Sequence, residues 1–231
     1  MSKEVALIVG AGAGLSASLA RLFAREGMTV ALAARNTKKL SALVSDIGGR
    51  AYQCDTGDAA QVMHLFAQLA EDTGDPDLVV FNASARSRGP VADLDADEVH
   101  RAWLVGCYGG FLVAQQAARP MLRKGSGTIL FTGASASVKG YAQSAPFAMI
   151  KFGLRGLAQS MARELAPRNV HVAHIVIDGG IASSVTKQEQ EQEPDRWLDP
   201  DAIAVNYLHL HRQHRSAWTW EVELRPWTEK F

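Results

Sequence analysis

The chain has 231 residues, enough for one α/β domain with a full hydrophobic core, and this length does not require a second domain. Its 24 basic and 24 acidic side chains give a formal net charge of zero, which argues against a nucleic-acid surface. Two cysteines are too few for a disulfide framework, and no apolar run approaches membrane-spanning length. We therefore expect a cytoplasmic protein with no signal peptide and no membrane partner.

A glycine-rich turn near the start joins a predicted strand to a predicted helix. Val5–Val9 is an apolar run, Gly10, Gly12 and Gly14 follow it, and apolar residues recur at helical spacing from Leu15 onwards. Such a turn directs free backbone N–H groups and the positive end of the helix dipole at one point, which favours phosphate. A purely structural turn would also use glycine. We interpret the stretch as a nucleotide cofactor site.

Strands and helices alternate along the rest of the chain. Further strands are predicted at 28–34, 50–54, 78–81, 128–132, 170–177 and 218–224, and helices at 37–47, 98–123, 144–165 and after the N-cap residues Asp58 and Asp199. Ser144 is the predicted N-cap of the 144–165 helix, with Pro146 in its first turn. This alternation predicts right-handed crossovers and a parallel sheet in a single domain, 1–231. Ligands of such sheets bind outside the carboxyl ends of the strands, here at 10–16, 34–36, Asp55, 82–84, 133–137 and 178–181.

Two polar segments lie beside these strand ends. The loop 85–97 contains Arg86 and Arg88, which we interpret as a solvated loop face in preference to ligand contacts. The charged segment 182–199 is expected to be mobile near the mouth of the site and to contact substrate.

Glycines and histidines elsewhere favour structural roles. Gly106, Gly109 and Gly110 fall inside the predicted 98–123 helix, where each costs about 1 kcal/mol relative to alanine, so we expect close helix packing there, with ligand approach as the alternative. His209, His211 and His214 have no acidic or cysteine partner at ligand spacing, and no metal site is predicted.

These segments, in this order, resemble the short-chain dehydrogenase/reductase family over nearly the whole chain. The family pattern TGxxxGxG is matched by Val9, Gly10, Gly14 and Ser16; its Asn-Ala-Gly by Asn82, Ala83 and Ser84; the lysine of its YxxxK by Lys151; and its Pro-Gly by Asp178 and Gly179. The resemblance implies a Rossmann-like doubly wound sheet of about seven strands, in the order 3-2-1-4-5-6-7, with helices on both faces. It also implies a homodimer or homotetramer built through the two long helices and the last strand.

The cofactor preference follows from the residues after the second predicted strand. A carboxylate there selects NAD, whereas Arg35, with Lys38 and Lys39 nearby, suits a 2′-phosphate, so we expect NADP(H) in preference to NAD(H). By resemblance, Asp55 contacts adenine, Asn82 the adenosine ribose and Lys151 the nicotinamide ribose. The expected cofactor-binding residues are Gly10, Gly12, Gly14, Leu15, Ser16, Arg35, Asn36, Asp55, Asn82, Ala83, Ser84, Lys151, Gly179 and Ile181.

The catalytic positions depart from the family pattern. Lys151 is kept, but Phe147 stands at the tyrosine position, Ala134 at the serine position and Gly106 at the asparagine position. Ser135, Ser137 and Tyr141 are the nearest hydroxyls in sequence, and Tyr141 is the first candidate for the proton donor, followed by water activated by Lys151. A tyrosine at the pocket rim with no catalytic role is the alternative.

Two functions fit this pattern. The first is an NADP(H)-dependent oxidoreductase that acts on a small carbonyl or alcohol substrate with a remodelled proton-transfer site. The second is a redox-inactive NADP(H)-binding sensor, scaffold or regulatory subunit. The kept glycine turn, Asn82 and Lys151 suit both functions, whereas Phe147, Ala134 and Gly106 favour the second. We favour the first, because the substitutions in the pocket look organised.

Overall fold

The structure, a computed structural model, describes residues 3–183 and 186–230. Seven parallel strands form the main sheet in the order β3-β2-β1-β4-β5-β6-β9. They are β1 (Val5–Val9), β2 (Thr29–Ala34), β3 (Arg50–Gln53), β4 (Leu78–Phe81), β5 (Gly127–Thr132), β6 (Val170–Ile177) and β9 (Glu221–Leu224). Two short strands, β7 (Gly180–Ile181) and β8 (Trp197–Leu198), pair with each other in parallel beside this sheet. The predicted seven-strand doubly wound order is confirmed.

Helices cover both faces of the sheet because both faces of its central strands are apolar. One core packs α3 (Ala59–Asp72), α5 (Gly109–Lys124) and α6 (Ala145–Leu165) on the sheet, and the other packs α1 (Leu15–Arg25), α2 (Ser41–Ile47) and α8 (Pro200–Arg212). The remaining helices are α4 (Ala96–Trp103) and α7 (Lys187–Gln192). No helix in the described ranges is both long and apolar enough to cross a membrane.

Helix caps lie where the side chains predict them, with one difference. The carboxylate of Asp58 accepts from the backbone N–H groups of Ala60 and Gln61, and the carboxylate of Asp199 accepts from that of Asp201. Ser144 occupies the N-cap position of α6 with Pro146 in the first turn, but its side chain makes no capping hydrogen bond.

The predicted 98–123 helix is wrong in its continuity. Its two helical parts, α4 and α5, are joined by a π-helical turn, Leu104–Tyr108. Close packing of the glycines is confirmed, because a Cβ at Gly106 would lie 2.6 Å from Cγ2 of Ile150 and one at Gly109 would lie 2.7 Å from the Thr56 carbonyl oxygen. The turn therefore lets a helix backbone pass close to α6, next to the candidate site.

Three other boundaries differ from the sequence prediction. The predicted 37–47 helix begins with a 3₁₀ turn, Thr37–Leu40, where the Asn36 side chain accepts from the Lys38 backbone. The last strand begins at Glu221, because Trp218 instead stacks on His171 at 4.7 Å between ring centres. The described part of the 182–199 segment contains α7 and β8, and its residues 184–185 lie outside the described chain.

Candidate cofactor and substrate site

Two adjoining cavities lie along the carboxyl-end edge of the sheet, and Asn82 and Ser84 line both of them. The first has a volume of about 410 Å³ and is lined by the residues after β1, β2, β3 and β4. The second has a volume of about 660 Å³ and is lined by the residues after β4, β5 and β6 together with α6. The strand ends therefore meet at one place, as the parallel topology requires.

The glycine turn forms the floor of the first cavity. Gly10 has φ +84°, and a Cβ there would lie 2.3 Å from the Ala83 Cα, so neither the backbone conformation nor the space admits a side chain. Gly12 faces open space, with no atom within 4 Å of an added Cβ. Glycine is thus required at position 10 by the close packing against Ala83, whereas the open space beside Gly12 leaves room for a ligand.

Ser16 has a structural partner that the sequence did not indicate. It is buried, donates from Oγ to the Gly10 carbonyl oxygen at 3.3 Å and accepts from the Asn82 Nδ2 at 2.8 Å. The serine at the family's third glycine position therefore ties the first helical turn to the end of β4 and orients the Asn82 amide.

The first cavity brings together half of the expected cofactor residues. Those that line it are Gly10, Gly12, Arg35, Asn36, Asn82, Ala83 and Ser84. Lys39, which the sequence places near Arg35, lines it as well, and so do Cys54, Thr56 and Val105, which sequence reasoning missed. Gly14, Leu15, Ser16 and Asp55 do not line it; the Asp55 carboxylate accepts from the Gly57 backbone at 3.0 Å.

Lys151 lies at the base of the second cavity. Its side chain is only 4% exposed, and Nζ donates to the Thr132 carbonyl oxygen at 2.8 Å. Burial, and then the nearby positive charge of Arg86, lower the pKa of Lys151 to about 8. The ammonium is also 5.7 Å from the ring centre of Phe147, one helical turn earlier on α6. This lysine is therefore buried in the site and is not a solvated residue of the helix surface.

Hydroxyl groups line the second cavity on its β5 side. Ser135 and Tyr141 both lie on the wall, and Tyr141 is 45% exposed. Ser137 is fully buried and its Oγ accepts from the Ala134 backbone N–H at 3.2 Å, so it serves the local turn. The Lys139 ammonium lies 5.8 Å from the Tyr141 ring centre, and the neighbouring Tyr141, then the charge of Asp178, raise the pKa of Lys139 above its ordinary value.

Gly179 and Ile181 also line the second cavity, as expected. Asp178, the residue before Gly179, is held by two cations. The buried carboxylate of Asp178 is 2.6 Å from the Arg225 guanidinium and 3.5 Å from the Lys139 ammonium. The two ion pairs therefore hold the strand end at the position where the family pattern has proline. They also neutralise the charge of the buried Asp178 carboxylate.

Arg86 and Arg88 line the second cavity, which the sequence interpretation of a solvated loop face did not favour. Both side chains are open to solvent, and the Arg86 guanidinium carbon lies 4.4 Å from the ring centre of Phe147. Partial desolvation, and then the charge of Arg88, lower the pKa of Arg86 from its ordinary value. These cations therefore belong to the cavity wall.

A hydrogen-bonded network of His174, Glu221 and Arg155 lies near the site. His174 on β6 is fully buried, and its Nδ1 lies 3.0 Å from Oε2 of Glu221, whose carboxylate also accepts two hydrogen bonds from Arg155 at 2.6 and 2.7 Å. Burial lowers the pKa of His174 to about 4, so the ring is neutral near pH 7. This network joins β6, β9 and α6 directly below Lys151.

The three C-terminal histidines have separate partners. His211 lies 3.0 Å from the Thr128 hydroxyl, His214 lies 2.8 Å from the Ser216 hydroxyl and His209 lies 3.4 Å from Gln213. Over the described ranges, no three His, Cys, Asp or Glu side chains cluster in a way that could hold a metal ion.

The sequence is similar to known proteins over most of its length. A family model described as short chain dehydrogenase matches residues 4–194. The chain is 30% identical over 200 residues to a trans-4-hydroxycyclohexanecarboxylate dehydrogenase from Sinomonas cyclohexanicum, covering 80% of this chain and 75% of the relative.

Solved structures extend the similarity to nearly the full length. The crystal structure of a short-chain dehydrogenase from Rhodopseudomonas palustris is 37% identical, with a TM-score of 0.84 and coverage of 97% of this chain and 99% of that one. A metagenomic short-chain oxidoreductase in complex with NADP is 27% identical, with a TM-score of 0.83 and coverage of 98% of both chains.

Proposed function

The chain belongs to the short-chain dehydrogenase family, and from this premise we propose that it is an NADP(H)-dependent oxidoreductase with a remodelled proton-transfer site. Its substrate is a small carbonyl compound or the corresponding alcohol. The observation that carries the proposal is the buried Lys151 in the cavity that adjoins the glycine-floored one. When bound, the nicotinamide supplies or accepts the hydride.

The first cavity fits the phosphate groups of a dinucleotide. Gly12 and Ala13 on its wall lead directly into α1, whose N-cap Gly14 makes no side-chain cap, so the first N–H groups of the helix have no side-chain partner. The space beside Gly12 is what a pyrophosphate needs. Gly12→Ala should therefore raise the Kd for NADPH at least tenfold while leaving the thermal unfolding midpoint unchanged, since the added Cβ meets no protein atom. Equal NADPH affinity in the variant, measured by calorimetry, would contradict the proposed cradle.

Arg35 and Lys39 support the preference for NADP(H). Both line the first cavity, which has no carboxylate on its wall, and neither forms an ion pair with a carboxylate among the residues described. Arg35→Asp should shift the affinity ratio towards NADH at least tenfold, because the carboxylate repels a 2′-phosphate and accepts from a 2′-hydroxyl. Arg168→Asp is the matched control, because this exposed arginine precedes β6 at the opposite edge of the sheet. Unchanged NADPH affinity in Arg35→Asp would remove Arg35 from the proposal.

Tyr141 is the proposed proton donor, with Ser135 as a hydrogen-bonding group on the same wall. The Lys139 ammonium, 5.8 Å from the Tyr141 ring centre, supports this role, because a nearby cation stabilises the phenolate left after proton transfer. Tyr141→Phe should lower kcat about 100-fold or more with little change in NADPH affinity. Tyr108→Phe is the control, because Tyr108 lies in the π turn and is not among the lining residues of either cavity. Full activity in Tyr141→Phe would transfer the role to water held by Lys151.

A redox-inactive NADP(H)-binding protein is the second candidate. Phe147 places an apolar ring where the family has a phenol, and Ile150 fills the space that an asparagine at Gly106 would need. The decisive experiment mixes NADPH-loaded protein with a panel of aldehydes, ketones and oxo acids under single-turnover conditions. Oxidation of bound NADPH by any of them supports the oxidoreductase, whereas tight NADPH binding with no oxidation supports the second candidate.

We also propose that two copies or four associate through the long helices. Large apolar side chains are exposed along α4, the π turn, α5 and α6: Trp103, Phe111, Met149 and Phe152 are between 38% and 57% exposed. Such a patch is typical of an interface. Sedimentation equilibrium should give a dimer or tetramer mass, and Phe111→Glu should dissociate it. A monomeric wild type would refute the assembly.

The proposed compartment is the reducing cytoplasm, and the cysteines support it. Cys54 is buried and Cys107 is half-buried, and both are free thiols. Burial raises the pKa of Cys54 to about 11, so this thiol is unreactive at neutral pH. Fractionation of cells that express the chain should place it with cytoplasmic markers.

A further inference from the structure

The second cavity has an unbalanced charge. Three cations line it, Arg86, Arg88 and Lys151, and no Asp or Glu is among its lining residues, although the whole chain carries equal numbers of acidic and basic side chains. Within residues 3–183 and 186–230, neither arginine has an ion pair with a carboxylate. Clustered cations in a concave surface create a positive potential that attracts anions.

The arginine pair is held in place by its loop. Ser87, between the two arginines, is buried, and the Gly89 backbone N–H donates to the Gln143 carbonyl oxygen at 3.1 Å, which ties the loop to the segment before α6. The guanidinium of Arg86 rests on the ring of Phe147, so one face is covered and its N–H donors remain at the edge. A guanidinium oriented in this way can form two parallel hydrogen bonds to a carboxylate.

We propose that Arg86 and Arg88 bind a carboxylate group of the substrate, so that the substrate is an oxo acid or hydroxy acid. This rests on the proposed oxidoreductase function and specifies its substrate class. Phe147 then has a positive role in the site, because its ring positions Arg86. The added negative charge also relieves the repulsion between the two guanidinium groups.

A cofactor phosphate is the other source of negative charge near this wall. The first cavity already provides the helix N-terminus, Arg35 and Lys39 for phosphate, whereas Arg86 and Arg88 line the second cavity alone. The geometry therefore favours the substrate as the partner of this arginine pair.

The test compares benzoate with benzamide, which have the same shape but differ in charge. Calorimetric titration of the NADPH-loaded protein should give at least tenfold tighter binding of benzoate. Arg86→Gln and, separately, Arg88→Gln should reduce this preference at least fivefold, Arg86→Lys should retain part of it, and Arg168→Gln should leave it intact. Phe147→Leu should weaken benzoate binding and leave benzamide binding unchanged. Circular dichroism and thermal unfolding check that each variant is folded.

Several results would overturn the proposal. Equal binding of benzoate and benzamide to the wild type, or no benzoate binding, would do so, as would a preference that survives the double arginine variant. Weaker NADPH binding in Arg86→Gln with unchanged benzoate affinity would assign the arginine to the cofactor. The titration is repeated without NADPH. If the oxidoreductase proposal fails, seen as no NADPH binding or no hydride transfer, the comparison of benzoate with benzamide can still be made.

Discussion

Replacing Lys151 by methionine should stabilise the protein at neutral pH. The fall in the pKa of Lys151 from 10.5 to about 8 on folding corresponds to about 3 kcal/mol, at about 1.4 kcal/mol for each pH unit. The hydrogen bond from Nζ to the Thr132 carbonyl oxygen returns about 1 kcal/mol, which the variant loses. Methionine has a similar length and an apolar end that suits the buried position. The net gain in the free energy of unfolding is therefore about 2 kcal/mol at pH 7.

The sign of this effect depends on pH. Between about 8 and 10.5, the folded wild type has released the Lys151 proton while the unfolded chain still holds it, so the stability of the wild type rises with pH across this window. Below about 8, both states are protonated and the full cost of the buried charge is present. The stability advantage of the variant should thus be largest at pH 7 and shrink towards zero or below by pH 10.5.

Urea unfolding followed by tryptophan fluorescence at pH 7, 8.5 and 10 measures this difference. Lys187→Met, at an exposed position on α7, is the control and should show no comparable pH-dependent difference. A Lys151→Met variant less stable than the wild type at pH 7, or a gap that does not change with pH, would refute the reasoning. The same variant should bind NADPH more weakly, so stability and function move in opposite directions.

Three further substitutions test the framework around the site by urea unfolding at controlled pH. Glu221→Gln should lower the free energy of unfolding by about 2 kcal/mol at pH 7. This difference is present above the ordinary glutamate pKa and is lost as pH falls through the lowered pKa of the folded state. A pH-independent difference would contradict the prediction. Gly10→Ala should cost about 2 kcal/mol or more, since φ is +84° and the new Cβ meets Ala83 at 2.3 Å; an unchanged Gly10→Ala would show that this contact relaxes freely. Gly106→Ala should cost about 1–3 kcal/mol, and Ile150→Ala should suppress that cost in the double variant; strict additivity would disprove the contact.

The sequence predicts the sheet well because its signals are local. Buried parallel strands are short apolar runs, and Asp58 and Asp199 announce their helices through hydrogen bonds to backbone groups two or three residues away. The glycine turn is recognisable for the same reason. A pattern confined to a few neighbouring residues is enough to specify each of these elements.

The π turn at Leu104–Tyr108 could not be predicted from the sequence. Gly106 in this turn packs against Ile150, and Gly109, just after the turn, packs against Thr56; these partners lie about 44 and 53 residues away in the chain. Periodicity within the helix contains no information about those partners. The same limit applies to Trp218, whose alternating neighbours predict a strand, while its stacking on His171 instead holds it outside β9.

The place of Arg86 and Arg88 on the wall of the second cavity was also beyond sequence reasoning, because the surroundings of a side chain depend on where its loop folds. Arg86 and Arg88 follow β4 in a polar segment, and by composition alone such a segment is a solvated surface. In the folded chain, the hydrogen bond from Gly89 to Gln143 ties this loop to the segment before α6, and Arg86 contacts Phe147 on the cavity wall. Lys151 differs in this respect, because its match to the lysine of the family's YxxxK pattern already implied a place in the site.

The departures from the family pattern occur in pairs that contact each other. Gly106 leaves the space that Ile150 occupies, and Phe147 presents the ring on which Arg86 rests. Random loss of catalytic groups would leave cavities or unpaired polar atoms at these positions, which cost stability without giving a new contact. Here the missing tyrosine and asparagine groups, two of the three departures, are replaced by packed contacts near a buried lysine. This pairing supports the proposal that the pocket is rebuilt for a different substrate, with the arginine pair, and the carboxylate that the pair would bind, at the centre of that change.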